Sequence, residues 1–333
     1  MHLSYCDGSI QGKRPYQEDT ILNQLLPDGY FFCVLADGMG GQVGGRIASE
    51  TICEAFSSYF SHKKRIEDPA SELYLALMTA NELFKEKIAK DNELHGMGST
   101  VIALLIHEQT GRYSFLSVGD SPLYTYRGGG LFRLNSNHSR YEYLKRLAAE
   151  GYLSPAEVKV HRERHMLTSA VTGEEIVLID QRDGVLLAGE YLLLASDGVQ
   201  ILDDSVDGVL SDIITNSHGD TEYIINEALS EIINIDYHEQ DNSTLIVINF
   251  AENGDGIEEE IKPPTLTQHQ GGTRRIKNRS PLVPILLFLV IILFILVLAL
   301  VFVKSENNGP REIIDTSSLN GEIAPFASLS KEP

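Results

Sequence analysis

The sequence predicts an α+β fold of stacked β-sheets with helices on the outside, followed by one membrane-crossing helix, and three observations predict it. Apolar runs of strand length open and close the first 250 residues, long segments of helical periodicity lie between them, and an uninterrupted apolar stretch follows after a polar linker. The run FFCVLADG (31–38) has the length and branched content of a buried strand. GRIASETICEAFSSYF (45–60) places Ile47, Ile52, Ala55 and Phe56 on one helical face, and ASELYLALMTANELFKEKIAK (70–90) is a second amphipathic helix. GSTVIALLIH (98–107), GRYSFLSVGD (111–120) and SPLYTYRGGGLFRL (121–134) are strand-like runs joined by turn signals, expected to form an antiparallel meander. A helix over 139–153 leads through Ser154-Pro155 into a less regular basic region at 159–175. Sheet returns in VLLAGEYLLLASDG (185–198), a helix follows over 221–235, and STLIVINF (243–250) closes the domain.

Residues 251–281 read as a linker, acidic first and then basic, with little to bury. Leu282 to Val303 runs 22 residues without a charged or polar side chain. That is enough to cross a hydrocarbon core about 30 Å thick. Arg274, Arg275, Lys277 and Arg279 precede it, so the positive-inside rule expects a single-pass protein of the cell membrane with residues 1–250 in the cytoplasm and the tail 304–333, polar and without a core, outside. The opening MHLSYCDGSI has neither a basic nor an apolar signal region, so no secretory signal is expected. A net charge of -20 argues against a nucleic-acid partner, whose phosphates need clustered cations. Cys6, Cys33 and Cys53 lack CxxC spacing and leave one over, which suits packed, reduced thiols rather than a zinc site.

The chemistry begins in VLADGMGGQVGG (34–45). Asp-Gly alone reads as a turn. The same pattern recurs, however: apolar runs end at Asp120 and at Asp197, Asp241 stands just ahead of the last run, and RPYQEDT supplies Arg14, Glu18 and Asp19. Carboxylates at the ends of several core strands are costly unless they converge on positive charge, and divalent ions supply it.

Arg-x-x-x-Glu-Asp (14–19), Asp-Gly-Met-Gly-Gly (37–41), Gly-Ser-Thr (98–100), Gly-Asp-Ser (119–121), Ser-Asp-Gly (196–198) and Asp-Asn-Ser-Thr (241–244) come in the order of a known family. On these motifs residues 4–250 resemble the metal-dependent protein phosphatases of the 2C type in their bacterial form, and 144–173 resembles the family's flap subdomain (about 140–175). The resemblance implies a four-layer α/β/β/α sandwich of two antiparallel sheets flanked by helices. It also implies two Mn²⁺ or Mg²⁺ ions, since hard oxygen ligands favour these over zinc. By resemblance Asp37 bridges both ions, Asp197 and Asp241 complete the first, and Glu18 with the Gly38 carbonyl serves the second. Arg14 binds the phosphate, Asp19 orients the attacking water, and Asp120 joins Asp197 around a third, weaker ion.

The chain departs from the family pattern in three places. Pro122 stands where an arginine is usual, Ile201 where an acid is common (Asp203 and Asp204 are displaced), and Met39 where eukaryotic members carry a histidine. Met39 cannot donate a proton, which leaves water to protonate the leaving oxygen. His161 and His165, in the flap-like region, read as surface or packing residues rather than ligands.

The expected function is therefore hydrolysis of phosphoserine and phosphothreonine in cytoplasmic proteins, the products of a Ser/Thr kinase, by direct attack of a metal-bridged hydroxide. Two rivals are a phosphoprotein-binding module without turnover and a phosphatase of small esters. The complete set Glu18, Asp37, Asp197 and Asp241 weighs against the first, and an open cleft would weigh against the second.

Overall fold

In the computed structural model, the described residues are 2–251 apart from 42, 165 and 203–207, all within the unit Met1–Glu259. The span 282–303, the tail 304–333 and all but the first residue of the linker lie outside them, as do His165, Asp203 and Asp204. Among the described residues no helix is long and apolar enough to cross a membrane.

The chain runs β1 (His2–Ile10), β2 (Asp19–Leu25), β3 (Tyr30–Met39), α1 (Val43–Ser61), α2 (Pro69–Lys90), β4 (Gly98–Ser99), β5 (Val101–His107), β6 (Arg112–Val118), β7 (Leu123–Arg127) and β8 (Gly130–Arg133). It continues through α3 (Arg140–Ala149), α4 (Pro155–Val160), β9 (Asp180–Val185), β10 (Tyr191–Ala195), α5 (Val209–Asn216), α6 (Thr221–Ile235) and β11 (Ser243–Ala251). One sheet has the order β1-β11-β10-β7-β8; the other is β2-β3-β5-β6-β9, with β4 beside β3, and every pairing is antiparallel.

The layering follows from the period of two in a strand. On β3, Phe31, Cys33 and Leu35 face the opposite sheet, where they meet Leu192, Leu194, Ile246 and Ile248. Phe32, Val34 and Ala36 face α1 and α2, among Ile52, Phe56, Phe60, Leu77 and Phe84. Leu193, Ala195, Leu245 and Val247 turn the other way, toward Leu210, Ile214, Ile224 and Ala228 of α5 and α6. Central strands buried on both faces read as continuous apolar runs, as the sequence shows. The Phe32 ring lies 4.4 Å from Phe60, centroid to centroid, and truncating such a buried ring to alanine costs about 3–5 kcal/mol. Helix α2 starts at a proline and carries Glu72 in its first turn and Lys87 and Lys90 in its last, charges that suit the helix dipole.

The expected meander is corrected. Strands β5 and β6 pair, but β6 pairs next with β9, and the chain crosses at Gly119–Asp120 to the other sheet, where 123–133 folds as a β7–β8 hairpin. Strands β1, β2 and β9 (DQRDGV), helix α5, and the short α4 with its Ser154–Glu157 capping box are parts of the fold that apolar periodicity did not mark.

Candidate active site

Antiparallel pairing brings the acidic strand ends together. Asp19 at the start of β2 is in register with Asp37 near the end of β3, while β11 starts beside the ends of β1 and β10, as the pairs Ile10–Ser243 and Ala195–Leu245 show. Two side-chain contacts then tie this end of one sheet to the other. Thr244 Oγ1 of β11 donates to Asp19 Oδ2 at 2.6 Å, and Arg14 Nη2 lies 2.5 Å from Asp241 Oδ2.

The loop before β2 is strapped down by Asn242, which is buried. Its Oδ1 accepts from the Glu18 main-chain N–H at 2.8 Å, and its Nδ2 donates to the carbonyls of Gln11 (2.8 Å) and Tyr16 (3.0 Å). One amide thereby fixes both ends of the segment that presents Arg14 and Glu18. Asp37 is held through its main chain: Thr100 N and Ser99 Oγ donate to its carbonyl at 2.9 and 3.0 Å. Gln240 ties the Asp197 turn to the Asp241 segment, donating through Nε2 to Gly198 O at 3.3 Å and to Ser243 Oγ at 2.8 Å. On the Asp120 side, Arg133 Nη2 donates to the Asp120 carbonyl at 2.8 Å, and His138 exchanges bonds with Gly119, its N–H to Gly119 O (3.0 Å) and its Nδ1 accepting from Gly119 N (3.2 Å).

Burial, and after it mutual repulsion, dominates the electrostatics. Desolvation followed by the charges of Asp19, Asp197, Asp120 and Asp241 pushes the Asp37 carboxyl well above the usual carboxylate range. Asp197 is pushed up to about 8 by burial and then by Asp120, Asp241 and Asp19. Burial also raises Asp19 to about 6, against the pull of the Thr244 and Ser196 hydroxyls, and Asp120 to about 6, against Arg133. Arg14 lowers Glu18, but burial outweighs it. A cluster that resists ionisation in this way has the electrostatics of a cation site.

The donor set fits hard divalent ions. Glu18 Oε1 and Asp19 Oδ1 are buried without a hydrogen-bond partner. A Cβ on Gly45, in the first turn of α1, would overlap Glu18 Oε1 and stand 3.0 Å from the Gly38 carbonyl oxygen, so its bare backbone keeps open the space between those two oxygens. Carboxylate and carbonyl oxygens without thiol or imidazole suit Mg²⁺ or Mn²⁺. Among the described residues no three of His, Cys, Asp and Glu close on one point as a finished ligand set. Asp241 is paired with Arg14.

Every residue singled out from the sequence, Arg14, Glu18, Asp19, Asp37, Gly38, Asp120, Asp197 and Asp241, is placed at this end of the sandwich by register, hydrogen bonding or mutual electrostatic influence. Sequence reasoning missed Asn242 as the strap and Gly45 as the floor. It also missed Arg133, which supplies from β8 a cation beside Asp120, next to the motif where Pro122 offers none. A cleft of ≈390 Å³ beside Asp197 and Asp241 has Arg164, Gln200, Ile201, Tyr237 and Glu239 on its walls.

Comparison with known proteins agrees with this fold. The family model described as protein phosphatase 2C matches residues 9–234. Protein phosphatase PhpP of Streptococcus pneumoniae is 27% identical over 188 residues, which cover 56% of this chain and 74% of that protein. The crystal structure of the Mycobacterium tuberculosis serine/threonine phosphatase PstP superposes with a TM-score of 0.61 at 25% identity, covering 76% of this chain and 100% of that one. A second structure, the PstP catalytic domain in complex with two manganese ions, shares the fold at a TM-score of 0.61 and 24% identity, covering 75% and 99% of the two chains. The family model spans most of the folded residues and the two antiparallel sheets with helices match these structures, so the chain belongs to the protein phosphatase 2C family and is a phosphoprotein phosphatase.

Proposed function

We propose that the chain is a membrane-anchored, metal-dependent phosphatase that removes phosphate from serine and threonine residues of cytoplasmic proteins. The observation that carries the reading is the gathering of Glu18, Asp19, Asp37, Asp120, Asp197 and Asp241 at one end of the sandwich, with Glu18 Oε1 and Asp19 Oδ1 lacking partners beside the bare Gly38–Gly45 backbone. Asp37, Asp197 and Asp241 with Glu18 and the Gly38 carbonyl would hold two ions, Mn²⁺ or Mg²⁺, and Asp120 with Asp197 a third. The two manganese ions bound to PstP support a two-ion site, and the third rests on the pairing of Asp120 with Asp197 alone. Bound divalent ions supply a nucleophile at neutral pH and neutralise phosphate charge.

The remaining work falls to the chain's own side chains. Arg14 is half exposed, and its guanidinium can fork onto two phosphate oxygens, a geometry lysine does not offer. Asp19 is held at Oδ2 by Thr244 and keeps Oδ1 buried and unbonded, which leaves that oxygen available to orient the attacking water. Met39 has no proton to give, so the leaving oxygen takes one from water. The cleft beside Asp197 opens to solvent, which favours a side chain presented on a protein over a small enclosed ester. Its substrates are then the products of a Ser/Thr kinase, reached from the membrane by the linker ahead of Leu282 to Val303.

Two measurements test the reading. Calorimetric titration with Mn²⁺ should show strong binding that Asp37→Asn loses, and the full chain should stay with membranes through an alkaline carbonate wash. Unchanged Mn²⁺ affinity in Asp37→Asn would sink the metal assignment, and release by carbonate would sink the anchor.

A further inference from the structure

Asp19 ends a hydrogen-bonded ring whose direction can be worked out from both sides. Its main-chain N–H donates to Gln17 Oε1 at 2.9 Å, which fixes the Gln17 amide so that Nε2 donates to Ser9 Oγ at 2.6 Å. At the other side a carboxylate can only accept, so the single Thr244 hydroxyl proton goes to Asp19 Oδ2 at 2.6 Å. Thr244 then accepts from Ser9, 2.9 Å away, and the only consistent order is Gln17 to Ser9 to Thr244 to Asp19. The ring spans both sheets, with Ser9 on β1, Thr244 on β11 and Asp19 at the start of β2. It reaches Asp19 at Oδ2, the Ser196 hydroxyl adds a second pull on the carboxylate, and Oδ1 is buried without a hydrogen-bond partner.

We infer that Ser9 and Gln17 are positioning residues of the active site, acting through Thr244 to lock the Asp19 carboxylate with Oδ1 left unbonded. The inference rests on the proposed role of Asp19. Each donor in a one-way chain polarises the next, so loss of Ser9 weakens the Thr244 bond without touching the site itself.

The test uses the full chain with Ser9→Ala, Thr244→Val, Thr244→Ser and the double variant Ser9→Ala/Thr244→Val, assayed with a phosphothreonine peptide and examined crystallographically. Thr244→Val should lower kcat about tenfold with KM within twofold, and Thr244→Ser should restore it. Ser9→Ala should lower kcat about threefold alone and not at all in the Thr244→Val background, since a serial chain broken once gains nothing from a second break. The Asp19 carboxylate should be turned in the Thr244→Val crystal structure. Losses that multiply, or a folded Thr244→Ser that fails to restore kcat, overturn the inference. Should Thr244→Val not fold, Ser9→Ala, exposed on β1, decides by its own kcat and Asp19 orientation. A wild-type chain without turnover would defeat the proposed function, and the positioning claim would still fall or stand on whether Asp19 turns in the variant structures.

Discussion

Asp197→Asn should make the metal-free protein more stable while disabling the site. In the folded chain the Asp197 carboxyl is carried from 3.8 to about 8 by burial and by Asp120, Asp241 and Asp19. About four pKa units at ~1.4 kcal/mol each set a ceiling of ~6 kcal/mol on the cost of ionising it in the fold. Charge shared with coupled neighbours reduces what one substitution recovers, to about 2 kcal/mol. A carboxyl raised in the folded state contributes its stability fully below its unfolded value, and that contribution is lost as pH rises toward 8. The asparagine variant should therefore melt roughly 4–8 °C above wild type at pH 8 in chelator, keep about a third of that gap at pH 5, and draw level only below pH 3.8. Saturating Mn²⁺ should invert the order, because wild type gains the binding free energy and the variant lacks a ligand. Scanning calorimetry at pH 5, 6.5 and 8, with and without Mn²⁺, measures all of this. A variant less stable than wild type in chelator at pH 8, or a gap as large at pH 5 as at pH 8, would refute the reasoning.

Gly45→Ala adds a methyl that displaces the Glu18 carboxylate from beside the Gly38 carbonyl; calorimetry should show a folded domain with Mn²⁺ affinity reduced about tenfold, and unchanged affinity would contradict the cradle. Asn242→Ala leaves the Glu18 N–H and the Gln11 and Tyr16 carbonyls without their partner and should cost about 2–4 kcal/mol in denaturant unfolding, with kcat falling as the Arg14–Glu18 segment loosens. Arg14→Lys keeps the charge and loses the fork; steady-state kinetics on a phosphopeptide should show kcat/KM down about tenfold with melting unchanged within about 2 °C.

The central strands and the carboxylates at their ends were legible in the sequence for one physical reason. Strands buried on both faces are written as unbroken apolar runs, so FFCVLADG, YLLLASDG and DNSTLIVINF show both the strand and the carboxylate at its end. Strand β9 was not legible, because DQRDGV at the edge of its sheet is held by main-chain pairing to β6 rather than by apolar burial. The crossing after β6 escaped for another reason: a turn at Gly119–Asp120 looks the same whether the chain returns to its own sheet or passes to the next. Arg133 reaches Asp120 from 13 residues along the chain across a hairpin, and Asn242 reaches Glu18 across 224, so no local spacing announces either contact.

Phosphate release from a phosphothreonine peptide by the purified chain, with Mn²⁺, with Mg²⁺ and with chelator, beside Asp197→Ala, tests the acidic end of the sandwich most directly. Turnover that requires metal and disappears in the variant is the predicted result. A folded chain that binds the peptide and releases no phosphate under any metal would contradict it, and the carboxylate cluster would then belong to a phosphoprotein-binding module.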